Sequence, residues 1–489
     1  MDAALPPPNR AGESLAAKIR SAVIWRSGSQ ILAQIVQWGA TFLVIRILQP
    51  ADYGLYAMTG VVLGFLNLLN GYSLASGLIR APEITRLQVR QLFGMLLVLN
   101  AVLALLQLAA APLVAGFYRQ PEVATMLRVQ AALYLFTPFI ALPYALLARE
   151  MDFAKQARVN ILAALASAAA ALGGALAGWG VWTLVWAPIV LFGVRAVGMT
   201  WAARSLVWPS FRFRGAGALA RFGGVMAAGQ VFWFAQSQAD VLIAGRWFDA
   251  HAVGLYTTAL FLTQIFQNKV VPPLNEVAFS AYARMQDEPG AVGRAFVTTA
   301  GAIMTAALPL YLGAAVTAEP LVLFALGEKW VGAVPVVQLL ACAMPFMTLY
   351  VLMPPASDAI GQPGIGVRAS MIGAVVLPFA YLVGVRWGLT GLAGAWLVAY
   401  PIMLAVLAAR VLPAIQASPR ALLAAIMPAV QAALAMAATV VLVDRLRPIE
   451  SPGLRLLLLI GAGGTVYAGW MLAFSRETVR DLITLVRRR

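Results

Sequence analysis

Long runs of this sequence contain no Asp, Glu, Lys or Arg. A helix that rises about 1.5 Å per residue needs about 20 residues to cross about 30 Å of hydrocarbon, and each run reaches that length. A mean hydropathy of +0.83 and a charged fraction of only 11% leave too little polar surface to coat a soluble protein of 489 residues. We therefore expect an all-α polytopic membrane protein. The runs cover residues 91–118, 159–194, 295–318, 330–357, 387–409, 421–443 and 456–475.

The longest run, 159–194, would overshoot a bilayer as one straight helix. Gly178 and Gly180 lie near its middle, and this pattern predicts two spans joined by a tight turn. With that division the chain has fourteen predicted spans. They begin near positions 23, 55, 91, 126, 157, 180, 222, 252, 292, 331, 364, 388, 420 and 454.

The basic residues are distributed unevenly about these spans. With a cytoplasmic N-terminus, 24 of the 35 Lys and Arg residues fall on the cytoplasmic side, 9 fall opposite and 2 fall within spans. The positive-inside rule then places both chain ends in the cytoplasm. Topology and anionic lipid headgroups account for the net charge of +16, so we expect no nucleic-acid partner. The first twenty residues lack the apolar core of a cleaved signal peptide, and we expect the first span to direct insertion.

A polar turn occurs twice, about 200 residues apart. Residues 46–58 read RILQPADYGLYAM and residues 246–258 read RWFDAHAVGLYTT. Six predicted spans separate the copies, and because six is even, both turns face the same side of the membrane. This predicts two parallel, pseudo-symmetric six-helix bundles. A weaker similarity links 178–188 with 391–401.

The expected divisions follow from this repeat, with the last two spans lying outside it. They are a cytoplasmic N-terminal segment (1–22), an N-terminal six-helix bundle (23–203), a basic cytoplasmic linker (204–221), a C-terminal six-helix bundle (222–412), two additional transmembrane helices (413–475) and a basic cytoplasmic tail (476–489).

Several segments resemble a known family. RILQPADYGLYAM with GLIR at 77–80, LLAREMDFAKQA at 146–157 and ALGEKW at 325–330 are similar, in order and spacing, to the bacterial oligosaccharide flippases of the polysaccharide transporter family. That family belongs to the multidrug/oligosaccharidyl-lipid/polysaccharide (MOP) exporter superfamily. The resemblance extends from about residue 20 to residue 475.

The resemblance implies a function and a location. Such a protein moves undecaprenyl-pyrophosphate-linked oligosaccharide repeat units from the cytoplasmic to the periplasmic leaflet of the bacterial inner membrane, for lipopolysaccharide O-antigen, capsule or exopolysaccharide synthesis. It works by alternating access and is not an enzyme. The implied partners are the lipid-linked oligosaccharide, membrane lipids, and a polysaccharide polymerase with export machinery. No cofactor is implied.

A flippase of this kind needs a hydrated groove, preferably basic, that leaves the lipid tail in the bilayer. Polar stripes on the first and seventh spans suit such a groove, because side-chain amides both donate to and accept from sugar hydroxyls. The alternative is that these amides bond packed helices together. The candidate substrate-binding residues on the two stripes are Arg26, Gln30, Gln34, Gln37, Gln230 and Gln236.

Charged residues inside spans are costly, by about 2.5–3.5 kcal/mol each on insertion scales. Arg195 and Lys269 are candidates for holding the pyrophosphate, while Asp240 and Glu276 are candidates for binding a coupling proton or cation. Internal ion pairing, or snorkelling to the headgroups for Arg195, are the alternatives. Pro272 and its neighbour predict a bend between Lys269 and Glu276. Tyr56 and Tyr256, beside the repeated turns, are interpreted as interfacial aromatics.

Other classes fit the residues less well. None of the four lysines follows a glycine, so a phosphate-binding Gly-Lys loop is absent. No Asp-x-Asp occurs, which disfavours a membrane polymerase or glycosyltransferase. The only histidine, His251, is interpreted as a surface residue without a second metal ligand, and we expect no metal site. A multidrug exporter of the same superfamily and a lipid II flippase remain open; the former predicts an acidic or apolar cavity.

Overall fold

The computed structural model describes residues 15–71, 84–212, 232, 234–446 and 449–476, with side chains described at residue 28 and from residue 32 onward. The chain divides into two compact units, Met1–Phe234 and Ala235–Arg489. Gln230, half of the predicted linker (213–221) and nearly all of the basic tail lie outside the described residues.

The described part of the first unit contains eight helices. They are α1 (Leu15–Ile47), α2 (Pro50–Asn67), α3 (Arg86–Tyr118), α4 (Pro121–Gln130), α5 (Ala132–Phe136), α6 (Pro138–Arg149), α7 (Phe153–Leu176) and α8 (Val181–Ala203). Helix α7 packs between α1 and α8, and α8 also packs against α6.

The second unit contains twelve described helices and two short 3-10 turns. The helices are α9 (234–247), α10 (Ala250–Thr263), α11 (Ile265–Lys269), α12 (Val271–Arg284), α13 (Ala291–Val316), α14 (Ala318–Ala325), α15 (Val334–Leu352), α16 (Pro354–Ala359), α17 (Gly364–Gly384), α18 (Gly388–Ala414), α19 (Pro419–Leu446) and α20 (Pro452–Phe474). The 3-10 turns are Glu328–Ala333 and Val385–Trp387.

The described part of the chain contains nine helical stretches long and apolar enough to cross a membrane, and one of them, Gly364–Ala414, contains both α17 and α18. The turn predicted inside 159–194 is confirmed, because α7 ends at Leu176 and α8 begins at Val181. Gly178 and Gly180 supply the positive φ angles, 75° and 54°, that this turn requires. The all-α polytopic fold class is confirmed.

The repeated turn joins α1 to α2 and α9 to α10, and a carboxylate stabilises each copy. In the first unit the backbone N–H of Gln49 donates to Oδ2 of Asp52 at 2.9 Å. In the second unit Oδ1 of Asp249 accepts from the backbone N–H of Ala252 at 2.8 Å and caps α10. Because helix N-termini carry unpaired N–H groups, an acidic residue here satisfies one of them and fixes the turn.

In each unit, a backbone carbonyl from a distant part of the chain packs directly against a glycine in a helix. In the first unit the carbonyl of Ser210 lies against Gly94 of α3, where a Cβ would overlap it. In the second unit the carbonyl of Ile415 lies in the same way against Gly293 of α13. These glycines are 199 residues apart, close to the offset of the repeated turn. In both units, therefore, the chain that follows a helix (α8 in the first unit, α18 in the second) lies against a glycine near the start of another helix (α3 and α13).

The two C-terminal helices pack onto the second unit. Helix α19 packs along α13 and against α20, and the hydroxyl of Tyr467 on α20 donates to the carbonyl of Thr305 on α13 at 2.7 Å. Arg455 forms two hydrogen bonds, of 2.7 and 2.8 Å, with the carboxylate of Asp444, and it lies 3.0 Å from Glu319. This bidentate pair joins the facing ends of α19 and α20.

Candidate functional site

The described polar stripe of α1 lies beside a cavity in the first unit. Gln34 is half-buried and Gln37 is exposed. Gln37 and Thr41 line a cavity of about 220 Å³ formed by α1, α2, α7 and α8. Helix α1 contains Arg26 and Gln30, but their side chains lie outside the described part of the chain.

Hydroxyls and aromatic rings complete the wall of this cavity. Tyr53, Tyr56 and Ser167 contribute polar atoms, while Ala40, Pro188 and other small or aliphatic residues contribute apolar surface. The hydroxyl of Ser167 donates to the carbonyl of Ala187 at 2.9 Å, which links α7 to α8 at the cavity wall. None of the residues that line the cavity is an Asp, Glu, Lys or Arg. Such a wall can form hydrogen bonds and apolar contacts with a ligand without supplying a charge.

The second unit buries a carboxylate, that of Asp240. The offset between the two repeated turns aligns Asp240 with Ala40, which lines the cavity of the first unit. Asp240 on α9 is only 2% exposed, and Tyr256 on α10 is fully buried. The hydroxyl of Tyr256 donates to Oδ2 of Asp240 at 2.9 Å and accepts from Nε1 of Trp396 at 2.9 Å. Among the described residues, Oδ1 of Asp240 has no hydrogen-bond partner. The interpretation of Tyr256 as an interfacial aromatic is therefore wrong, because its ring and hydroxyl are enclosed by three helices.

Aromatic rings surround this carboxylate. Trp396 stacks on Tyr400 with ring centroids 4.9 Å apart and lies 5.9 Å from Tyr381. The weaker similarity between residues 178–188 and 391–401 aligns Trp396 with Thr183 of the first unit. In the first unit this region contains a cavity. In the second unit the corresponding region is filled by large aromatic rings and one carboxylate.

Gln236 on α9 is 6% exposed, and its Oε1 lies directly against Gly373 on α17. A Cβ at residue 373 would overlap this oxygen. The predicted amide of the seventh span is thus a tightly packed residue that lies one turn before Asp240.

A second polar group in this unit had no signal in the sequence. The hydroxyl of Thr348 donates to Oε1 of Gln267 at 3.0 Å and lies 3.0 Å from the hydroxyl of Tyr311. These side chains come from α11, α15 and α13 and are buried. They are separated by up to 81 residues in the chain, and a spacing pattern cannot bring such distant residues together.

The other predicted charges occupy different positions. Lys269 ends α11, Glu276 lies in α12, and both are exposed. The helix is interrupted at Val270, just before Pro272, where the sequence predicts a bend. Arg195 is half-buried in α8, one turn beyond Leu191, which lines the first-unit cavity. Asp240 and Tyr256 are brought into contact, whereas Lys269 and Glu276 lie on a separate, interrupted segment.

Solved structures share this fold. The lipid II flippase MurJ in an inward closed conformation has a TM-score of 0.75 at 12% identity, covering 93% of this chain and 100% of MurJ. An inward-facing multidrug resistance MATE family transporter of the MOP superfamily has a TM-score of 0.51 at 15% identity, covering 83% of this chain and 96% of that protein. The fold defines an all-helical, multi-pass membrane protein built like members of the MOP superfamily.

The profile of the polysaccharide biosynthesis protein family matches residues 43–335, and the chain belongs to that family. The succinoglycan biosynthesis transport protein ExoT of Rhizobium meliloti is 25% identical over 469 residues, which cover 94% of this chain and 95% of ExoT. The family resemblance drawn from the sequence is confirmed.

Proposed function

We propose that this protein is a flippase that translocates undecaprenyl-pyrophosphate-linked oligosaccharide repeat units from the cytoplasmic to the periplasmic leaflet. The product would enter lipopolysaccharide, capsule or exopolysaccharide synthesis, and the protein would act by alternating access. Membership of the polysaccharide biosynthesis family supports the proposal. The full-length similarity to a protein named for succinoglycan transport supports it as well.

Membership of the polysaccharide biosynthesis family carries this proposal, and the polar groups in the wall of the first-unit cavity are compatible with it. The amide, hydroxyl and phenol groups of the wall suit sugar hydroxyls, and its alanine, proline and aromatic surfaces suit the apolar faces of a sugar ring. This wall offers no carboxylate to a cationic drug, but it also lacks the cations of the basic groove that the sequence predicted for a flippase, so the charge of the cavity does not favour either transporter. Gln37, Thr41 and Tyr56 are the residues proposed to contact the oligosaccharide.

The pyrophosphate needs cations, and the structure offers different candidates. Arg195 follows Leu191 by one turn of α8 and so shares the face that lines the cavity. Lys269 is exposed at the interruption of the span that contains it. We propose Arg195 first and Lys269 second as pyrophosphate ligands, with Arg26 near the start of the polar stripe of α1.

Asp240 is the proposed coupling residue. A buried carboxylate with one unpartnered oxygen is expensive inside a membrane, so it is retained where it performs a task. Binding a proton or a small cation at Oδ1 would remove the free-energy cost of burying that charge. Transport would then be linked to a gradient. Glu276, which is exposed, is the weaker candidate for the same role.

The remaining parts of the proposal concern context. We place the protein in the inner membrane with both termini cytoplasmic, since the basic residues favour that orientation. It would perform no covalent chemistry. A polysaccharide polymerase and export machinery are the partners expected downstream.

The experiment that tests the function is deletion of the gene in its host, followed by analysis of lipid-linked sugars. We expect full-length repeat units to accumulate on undecaprenyl pyrophosphate, accessible only from the cytoplasmic face, with loss of surface polysaccharide. Complementation with the unaltered chain should reverse both effects. Intact polysaccharide in the deletion strain would contradict the proposal.

The buried acid of the second unit also fits a multidrug exporter, because a carboxylate in apolar surroundings attracts organic cations. The same deletion strain separates the two functions. If dye efflux falls while surface polysaccharide is unchanged, the exporter replaces the flippase. Accumulated lipid II, with normal surface polysaccharide, would instead indicate a lipid II flippase.

A further inference from the structure

Three helix ends meet at one edge of the first unit. The end of α6 and the start of α7 lie in the LLAREMDFAKQA segment, and the third is the end of α8. Helix α6 ends at Arg149, and Met151 takes a left-handed conformation with φ 56° before α7 begins. Helix α8 ends at Ala203, and the residue that follows it, Arg204, is also left-handed, with φ 48°. These sharp endings leave a pocket of about 650 Å³ bounded by the three helix ends.

The pocket is predominantly basic. Lys155, Arg158 and Arg204 line it, against the single carboxylate of Glu150. The ammonium of Lys155 lies 2.9 Å from Asp152, the residue that caps α7, so its position is fixed by the turn itself. Arginine and lysine side chains of this kind bind phosphate through charge-assisted hydrogen bonds.

One exposed tryptophan lies on the pocket wall, and a second follows in the segment after α8. Trp201, on its wall, and Trp208 are each 84% exposed, and Leu206 between them is 78% exposed. Tryptophan and leucine side chains this exposed are costly in water. Tryptophan is enriched at the level of lipid headgroups, where an apolar ring meets polar surroundings.

The segment that presents Trp208 is fixed in place. Nε of Arg90 donates to the carbonyl of Trp208 at 3.0 Å, and the backbone N–H of Ser210 donates to the carbonyl of Arg90 at 2.9 Å. Nε2 of Gln91 donates to the carbonyl of Arg212 at 2.7 Å. Residues 205–212 therefore run along the start of α3 as a strap, with Trp208 directed outward.

We infer that this pocket binds the phosphate of an anionic phospholipid in the leaflet that the positive-inside rule assigns to the cytoplasm. The three cations would hold the phosphate, Trp201 would lie beside it, and Trp208 would lie among the headgroups of the same leaflet. An anionic lipid fits better than an acidic protein, because the basic pocket opens beside exposed apolar side chains at helix ends. This inference is independent of which substrate the protein transports.

The test is native mass spectrometry of the purified full chain with phosphatidylglycerol or phosphatidylcholine of identical acyl chains. The variant combines Lys155→Gln, Arg158→Gln and Arg204→Asn; asparagine is chosen because it tolerates the left-handed backbone of residue 204. Near a membrane surface each cation contributes about fivefold in affinity for anionic lipid, so we expect the variant to lose at least about tenfold in phosphatidylglycerol binding. Phosphatidylcholine binding should not change.

A matched control removes the same charge elsewhere on the predicted cytoplasmic side. Arg284→Gln, Arg410→Gln and Arg420→Gln together neutralise three exposed arginines of the second unit. This control should retain phosphatidylglycerol binding, and both variants should keep the elution profile and the melting temperature of the unaltered chain. An equal loss in both variants, or no loss in either, would overturn the assignment. Selective loss of undecaprenyl diphosphate binding with phosphatidylglycerol unaffected would also overturn it.

Discussion

The hydroxyl of Tyr256 lies 2.9 Å from Oδ2 of Asp240. Among the described residues, it is the one side chain that forms a hydrogen bond with that carboxylate. Trp396 holds the tyrosine from the other side, so the acceptor capacity of the hydroxyl is already used. The carboxylate thus retains one oxygen, Oδ1, for a proton or cation.

Replacing Asp240 with Asn should remove coupling and leave the fold intact. Asparagine keeps an oxygen that accepts from Tyr256, so we expect the stability to change by no more than about 1 kcal/mol. Gradient-driven transport of lipid-linked repeat units in inverted vesicles should fall to the background level. The control is Tyr256→Phe, which keeps the carboxylate and should retain coupled transport. Unchanged transport by Asp240→Asn would eliminate Asp240 as the coupling residue.

Filling the cavity of the first unit should impair substrate binding. Ala171 lines the cavity, whereas Ala169, on the same helix, is exposed. We expect Ala171→Leu to reduce polysaccharide export severalfold, because the added carbons occupy space proposed for a sugar ring. Ala169→Leu makes the same chemical change outside the cavity and should export normally. Equal export by the two variants would show that the cavity holds no substrate.

Adding a methyl group at Gly94 should loosen the strap of the first unit. A Cβ there would overlap the carbonyl of Ser210, which is backbone and cannot rotate away. We expect Gly94→Ala to lower the stability by about 1–3 kcal/mol, typical of overpacking. Gly116, on the same helix, has open space around it, so Gly116→Ala should be neutral or stabilising. Thermal unfolding in detergent measures both, and equal melting temperatures would contradict the prediction.

Removing the guanidinium of Arg455 should separate the C-terminal helix pair. The carboxylate of Asp444 would lose its bidentate partner while it remains only about a fifth exposed, with 22% side-chain exposure. We expect Arg455→Gln to destabilise the protein by about 1 kcal/mol. The double variant Asp444→Asn with Arg455→Gln should recover most of that loss, since the partly buried carboxylate is removed and the other partner of Arg455, Glu319, is exposed to solvent. A double-mutant cycle with no coupling would show that the ion pair contributes nothing.

The sequence predicted the elements that depend on local pattern. Charge-free runs located the membrane-spanning helices, and Gly178 with Gly180 located the turn inside the longest run. The repeated turn was found because the chain carries two copies of it. In each of these cases the determining residues lie within a few positions of one another.

The contacts that define the candidate site come from distant residues. Tyr256 was assigned to the membrane interface because it follows a polar turn, yet its hydroxyl bonds Trp396, 140 residues later. Nothing in the spacing of either residue indicates that contact. The pairing of Gln267 with Thr348 was missed for the same reason. Arg26 and Gln30, whose side chains lie outside the described residues, and Gln230 remain predictions.

The contact between Gly94 and Ser210 constrains the order in which this protein is assembled. Helix α3 can enter the membrane early, but its glycine meets the backbone it is shaped for only after the ribosome has delivered residue 210. At that moment more than half of the 489 residues are still to be translated. The residues of this closing contact are therefore all synthesised before the second unit is translated, so the first unit can close without it.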